Sequence, residues 1–281
     1  MILVTGESGQ LGTAFKELLP DALYPTQEAF DFTTAESIEA ALGDMAPTAI
    51  INCAAYTAVD AAEDDEATAN LINAVAVGEM AEFCATQGIP FVTYSTDYVF
   101  AGNGTEPYVE SSPTDPINAY GRSKRKGELL ALAHPTSLVI RTSWLISGTN
   151  PNFVATMLRL AATRDELAVV ADQRGRPTVA ADLALGTLHA MEAGATGLLH
   201  LTNQGSTTWF ELARTAVADA GLDETKIAPC STADYPTPAA RPAYSVLESE
   251  RLEELGIEPL PPWQESLPGV VEGLLARGLA G

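Results

Sequence analysis

Tyr120 and Lys124 stand four residues apart in AYGRSK, at the start of a stretch whose apolar periodicity predicts a helix over 120–133. Residues at that spacing share one helix face. An ammonium beside a phenol depresses the phenol pKa from its ordinary ~10 and makes it a better proton donor near neutral pH. The competing reading is a surface helix carrying a chance pair, and the residues upstream weigh against it. A β-rich run over 91–95 passes into Thr96-Asp97-Tyr98-Val99-Phe100. A hydroxyl at the C-terminal end of such a strand points into the crevice where open α/β sheets hold ligands. The bland alternative is a turn-capping Thr followed by a solvated Asp.

Gly6, Gly9 and Gly12 in TGESGQLG follow the first predicted strand, 2–5, and open the first predicted helix, 10–19. The first glycine allows a tight turn, the second lets backbone approach a pyrophosphate, and the third permits close helix packing. The helix N-terminus then offers free N–H groups and partial positive charge to the phosphates. The competing reading is a plain strand-to-helix turn, but the motif's place at the first strand of a βαβ series makes dinucleotide binding the expectation. After the second predicted strand, 22–24, an acid would bind the ribose hydroxyls of NAD and an Arg the additional phosphate of NADP. Tyr24-Pro25-Thr26-Gln27 offers neither, so NADPH or NADH remain equal candidates.

These residues need a frame, and the first 145 positions supply one. Further strands are predicted over 49–53, 91–95 and 138–142, alternating with helices over 35–42, 66–87 and 120–133. Such alternation implies α/β architecture, a Rossmann-type doubly wound parallel sheet. Between Val99 and Asn118 five Gly and Pro residues exclude a helix, and a loop that long in a compact domain is usually functional. Beyond residue 150 helices are predicted over 153–163, 181–193 and 208–220, with strands over 167–170 and 197–202. The expected organisation is a dinucleotide-binding domain over 1–145, and over 146–281 a smaller C-terminal substrate-binding lobe whose segments partly return to the main domain.

Composition removes several function classes. The 281 residues carry fifteen Lys plus Arg against thirty-seven Asp plus Glu, a net charge of −22 that repels a nucleic-acid backbone. No run approaches the ~20 apolar residues of a membrane span. The opening MILVTGESG has no basic segment followed by an apolar run and cleavage site, so a cytoplasmic location is expected. Cys53, Cys84 and Cys230 are odd in number and far apart, which argues against disulfides or zinc. His134, His189 and His200 lack ligand spacing, the acidic run Glu63 to Glu66 suits a helix start, and Trp209 reads as a core anchor.

Taken in order, these motifs resemble the extended short-chain dehydrogenase/reductase superfamily, and within it the dTDP-4-dehydrorhamnose reductase family. GQLG at Gly9, NCAAYTAVDAAE at Asn52, STDYVF at Ser95, YGRSK at Tyr120 and RTSW at Arg141 carry the likeness, continued by NPNFVATMLRLA, DQRGRPT and YPTPAARP. The resemblance implies a catalytic trio of Thr96, Tyr120 and Lys124. It implies a cofactor lining of Gly9, Gln10, Leu11, Asp31, Phe32, Ala55, Tyr56, Thr57 and Tyr94, with Asp97 and Trp144 on the sugar nucleotide. The implied reaction reduces the 4-keto group of dTDP-4-dehydro-β-L-rhamnose. Some members bind magnesium through carboxylates near the glycine turn and the DQ motif. Here Gly12-Thr13-Ala14 and Thr178-Val179-Ala180-Ala181 carry no acid, so no metal and a monomer or weak homodimer are expected.

The diphosphate of such a substrate needs local cations, and Arg174, Arg176 and Arg241 fall in breaker-rich loops where a guanidinium makes two bonds to a phosphate. Rival readings are a reductase, epimerase or dehydratase of another nucleotide-deoxysugar, and a non-catalytic nucleotide-binding regulatory subunit. A dehydratase places Asp-Glu after the Thr, where this chain has Asp97-Tyr98. The intact Thr96, Tyr120 and Lys124 speak against a regulator.

Overall fold

Successive residues of the strands alternate between two apolar cores. Val4, Ile51, Val92, Leu138, Ile140 and Leu199 face one cluster, while Leu3, Ile50, Phe91 and Val139 face another. A strand buried on both faces belongs to a parallel sheet sandwiched by helices. The computed structural model describes residues 1–26, 30, 32 and 35–279. Its main sheet has five parallel strands, β1 (Ile2–Thr5), β2 (Ala49–Asn52), β3 (Phe91–Thr96), β4 (Ser137–Thr142) and β5 (Gly197–His200), side by side in that order. Helix α1 (Gln10–Leu18) and the later helix Ala180–Glu192 cover the first face, supplying Leu11, Phe15, Leu183 and Ala184. On the second face lie α2 (Ala35–Met45) and the helical stretch 66–87, here α3. The next helix, α4 (Ala119–Leu132), carries the Tyr/Lys pair.

Two expectations need correction. The predicted strand at 22–24 reduces to a single bridge, Leu23 beside Leu3, with backbone bonds of 2.8 Å to Ile2 and Val4. Pro20 and Pro25 bracket the segment, and a proline has no N–H to extend the ladder on either side. The helix over 66–87 is not uniform: Glu66–Asn70 and Ala76–Gln87 are α-helical, but Leu71–Val75 between them is a π-helix. Such an insertion turns Asn73 inward, where it is buried.

A third apolar cluster lies outside the sheet. Val154, Leu158, Leu212, Val217, Leu267 and Val271 join helices Phe153–Thr163, Trp209–Asp219 and Trp263–Ala276, with Trp144 and Trp209 packed on its border. The breaker-rich loop after β3 is pinned by late residues: Asn103 pairs with Tyr244, and Tyr108 with Leu247. Tyr108 also stacks on Phe100 with ring centroids 4.3 Å apart. No helix among the described residues is long and apolar enough to cross a membrane.

Candidate active site

The C-terminal ends of β1 to β4 open into one cleft of about 710 Å³, within the range of small-molecule and cofactor sites. At one end the glycine turn forms a cradle. Gly6 has φ +70°, and a Cβ there would lie 2.7 Å from the Ala54 nitrogen. At Gly12 a Cβ would lie 2.1 Å from the Gly6 carbonyl oxygen, so only glycine lets α1 start this close to the turn. Gly9 caps α1 and brings no side chain to its first turn, which leaves those N–H groups for a ligand. Gln10 donates to the Leu145 carbonyl at 3.1 Å while its Oε1 is buried without a partner. Bare backbone donors, a forced absence of Cβ atoms and an unpaired buried acceptor together fit a dinucleotide.

At the other end Thr96, Tyr120 and Lys124 line the same cleft. The Thr96 side chain donates to Asp97 Oδ1 at 2.9 Å and accepts from the Tyr98 N–H at 3.2 Å. Burial pushes the Asp97 carboxyl up to about 6, against the Ser245 and Thr96 hydroxyls that pull it down. The Tyr120 phenol moves opposite to the sequence expectation. Burial and the Asp97 charge raise it above its ordinary value, and only the Thr96 hydrogen bond lowers it. Desolvation outweighs any help from the neighbouring ammonium. Burial instead lowers Lys124 to about 8, with the Glu128 charge pulling it back up.

Behind these groups sits a buried ionic frame. Glu128, one turn beyond Lys124, receives Arg141 Nε at 2.7 Å and Nη2 at 2.8 Å, and both side chains are 1% exposed. Burial pushes the Glu128 carboxyl up, but the Arg141 hydrogen bonds and charge outweigh it and hold it below the usual range. Burial lowers His200 to about 4. Its Nδ1 faces the Glu248 carbonyl at 2.8 Å and so carries the proton, leaving Nε2 to accept from Arg141 at 3.3 Å. Asn73, turned inward by the π-helix, ties the segment after β2, whose Ala55 and Thr57 line the cleft, to the helix that carries Tyr120. It accepts from the Tyr56 N–H at 2.9 Å, donates to the Tyr56 carbonyl at 3.0 Å, and donates to Ser123 at 2.9 Å. Ser123 in turn donates to the Tyr120 carbonyl at 2.8 Å.

The cleft brings together Gly6, Gly9, Gln10, Leu11, Phe32, Ala55, Thr57, Tyr94, Thr96, Tyr120, Lys124 and Trp144. Gly12 lies behind it as a packing residue, and Asp97 is buried beside Thr96. Tyr56 presents backbone to Asn73 while its ring packs with Tyr120 over Ala62, Ala69 and Ala119. Asp31 lies outside the described residues. The three arginines stand away from the lining: Arg176 pairs with Glu248, Arg241 with Asp60 at 2.9 Å, and Arg174 donates to Ser206 at 3.1 Å. Sequence reasoning missed Glu7, Ser8 and Asn150, which line the cleft near the glycine turn. Asn150 donates to the Ser8 carbonyl at 2.8 Å, a contact across 142 positions that no local spacing announces. Among the described residues no cluster of His, Cys, Asp and Glu could hold a metal ion.

The family model for the RmlD substrate binding domain matches residues 1–275. A dTDP-4-dehydrorhamnose reductase of Burkholderia thailandensis is 42% identical over 297 aligned positions, covering 98% of this chain and 99% of that protein. Among solved structures, a dTDP-4-dehydrorhamnose reductase from Clostridium acetobutylicum superposes with a TM-score of 0.94 at 36% identity, covering 98% of this chain and 99% of that one. Another from Bacillus anthracis, in complex with NADP, gives 0.91 at 36% identity and covers 98% of each chain. With a Rossmann-type cleft, a Thr/Tyr/Lys end and these relatives along its whole length, the chain belongs to the dTDP-4-dehydrorhamnose reductase family.

Proposed function

We propose that the protein reduces the 4-keto group of dTDP-4-dehydro-β-L-rhamnose to dTDP-β-L-rhamnose with NADPH or NADH, in the cytoplasm, as a monomer or weak homodimer. The observation that carries this reading is the one cleft in which the cradle of the glycine turn at one end faces Thr96, Tyr120 and Lys124 at the other. The nicotinamide, when bound, supplies the hydride. Tyr120 holds the proton that the new C4 alkoxide needs, and its raised pKa keeps the phenol protonated across the working pH range. Lys124, cationic below about 8, stabilises the phenolate left behind and holds a ribose hydroxyl. Thr96 bonds the same sugar oxygen, which requires its proton to leave Asp97.

Asp97 and Trp144 are proposed contacts of the sugar. For the diphosphate, Arg241 is the best placed of the three arginines, because its charge reaches Tyr98, whose ring stands edge-on to Tyr120 at 5.9 Å. A phosphate would displace Asp60 from it.

The test is spectrophotometric oxidation of NADPH and of NADH with dTDP-4-dehydro-β-L-rhamnose, with the product identified by NMR. Stoichiometric appearance of dTDP-β-L-rhamnose supports the reading. Turnover only with a different keto sugar, or release of water in place of reduction, overturns it. The same assay in EDTA should lose nothing.

A further inference from the structure

Trp144 is the point at which the third apolar cluster reaches the cleft. Its backbone has φ 47°, and among the described residues only one other non-glycine, Ala46 at the end of α2, has positive φ. A bulky residue keeps that conformation only when its surroundings over-determine it. Three contacts do so here. The Trp209 ring lies flat on the Trp144 ring, with centroids 3.7 Å apart and planes 9° from parallel. Gly175 closes on the indole edge so tightly that a Cβ there would sit 2.6 Å from Trp144 Cε2. The Trp144 carbonyl accepts from the Thr178 N–H at 3.2 Å.

The two clamping residues form one unit. Thr207 and Thr208 pair antiparallel with Gly175 and Arg174, and Thr208 with Glu211 makes the capping box that starts the helix at Trp209. Phe153 supports Trp209 from the side at 4.6 Å. If Trp144 only filled the core, neither a left-handed backbone nor an indole standing in the cleft wall would be needed. A fixed flat ring is the surface that suits the C–H face and methyl group of a 6-deoxy sugar.

We propose that Trp209 and Gly175 are positioning residues: they lock the Trp144 indole as a rigid wall, so that sugar orientation against Thr96 and Tyr120 is set from outside the main sheet. This rests on the substrate reading above. Stacked indoles produce an exciton couplet in far-UV circular dichroism, which reports the stack independently of turnover. Trp209→Leu should abolish the couplet and raise KM for the sugar nucleotide about tenfold, the upper range for an aromatic pair, while KM for NADPH stays that of the parent. Trp209→Phe should restore most of the sugar KM. If Trp209→Leu does not fold, Gly175→Ala probes the same wall from its edge and should give the same split between the two KM values. Loss of the couplet with an unchanged sugar KM overturns the inference, as does an equal rise in both KM values. An unchanged sugar KM in Trp144→Ala overturns it also. If the parent itself fails to turn over the 4-keto sugar, the substrate reading falls and this one with it, whereas unchanged variants of an active parent sink this one alone.

Discussion

At the glycine turn the cleft offers backbone donors from which Cβ atoms are excluded, whereas at its far end it offers side chains whose protons burial has moved. On the proposed reading the first end recognises a ligand by shape and dipole, and steric intrusion should damage it. The second depends on keeping charges in a dry place, and removal of a partner should damage it. Each end therefore predicts its own kind of failure.

The sharpest separation comes from Tyr120→Phe. It removes only a proton donor, so kcat should fall by about 10²–10⁴, while NADPH affinity, read by fluorescence titration, stays unchanged. Near-parent turnover would remove Tyr120 from the chemistry. Next in size is Glu128→Gln, which leaves Arg141 buried and cationic without its carboxylate. Stripping one partner from a buried pair costs about 3–5 kcal/mol, visible in urea denaturation. The double variant Glu128→Gln/Arg141→Gln should recover part of that loss, and no recovery would mean that packing sets the cost.

The glycine end should respond to bulk alone. Gly12→Ala places a methyl group 2.1 Å from the Gly6 carbonyl oxygen, an overpacking of about 1–3 kcal/mol. NADPH affinity should weaken while kcat at saturating NADPH stays close to that of the parent, and a fall in kcat alone would contradict the division. Asn73 is where that division ought to break, since it holds Tyr56 on one side and, through Ser123, Tyr120 on the other. Asn73→Ala strips the half-buried Tyr56 N–H and carbonyl of their side-chain partner and removes one of the two bonds of Ser123, a loss of about 1–3 kcal/mol. Both the NADPH KM and kcat should worsen, and a change in only one would show that the link carries nothing between the two ends.

The same contrast governs what could be read from the chain alone. Gly6, Gly9 and Gly12 are legible because close backbone approach admits one residue type at fixed offsets, and Tyr120 and Lys124 because one helical turn sets their spacing. Asn73 was invisible because the π-helix Leu71–Val75 shifts the face that periodicity assigns. Trp209, read as a core anchor, does border the core, but its stack on Trp144 joins residues 65 positions apart in sequence and depends on a left-handed backbone that no composition rule marks. The direction of the Tyr120 shift departs from the sequence expectation for a related reason: spacing puts the ammonium one turn from the phenol, but only the folded chain shows that desolvation of the phenol outweighs that proximity.

The mildest prediction tests the side-chain end through pH. Lys124 is held down to about 8 by burial, with the Glu128 charge opposing. A lysine is cationic below its pKa, so the ammonium is present at pH 7 and lost as pH rises through 8. Tyr120 does not titrate in that window, because its phenol is pushed above the ordinary range. The kcat/KM profile, which reports the free enzyme, should therefore bend near pH 8 and fall about tenfold for each further pH unit. Burial could produce such a limb at another group, so Glu128→Gln decides the assignment. Removing the carboxylate that favours the cation must shift the limb to lower pH, whereas an unmoved limb would assign the titration to a group other than Lys124.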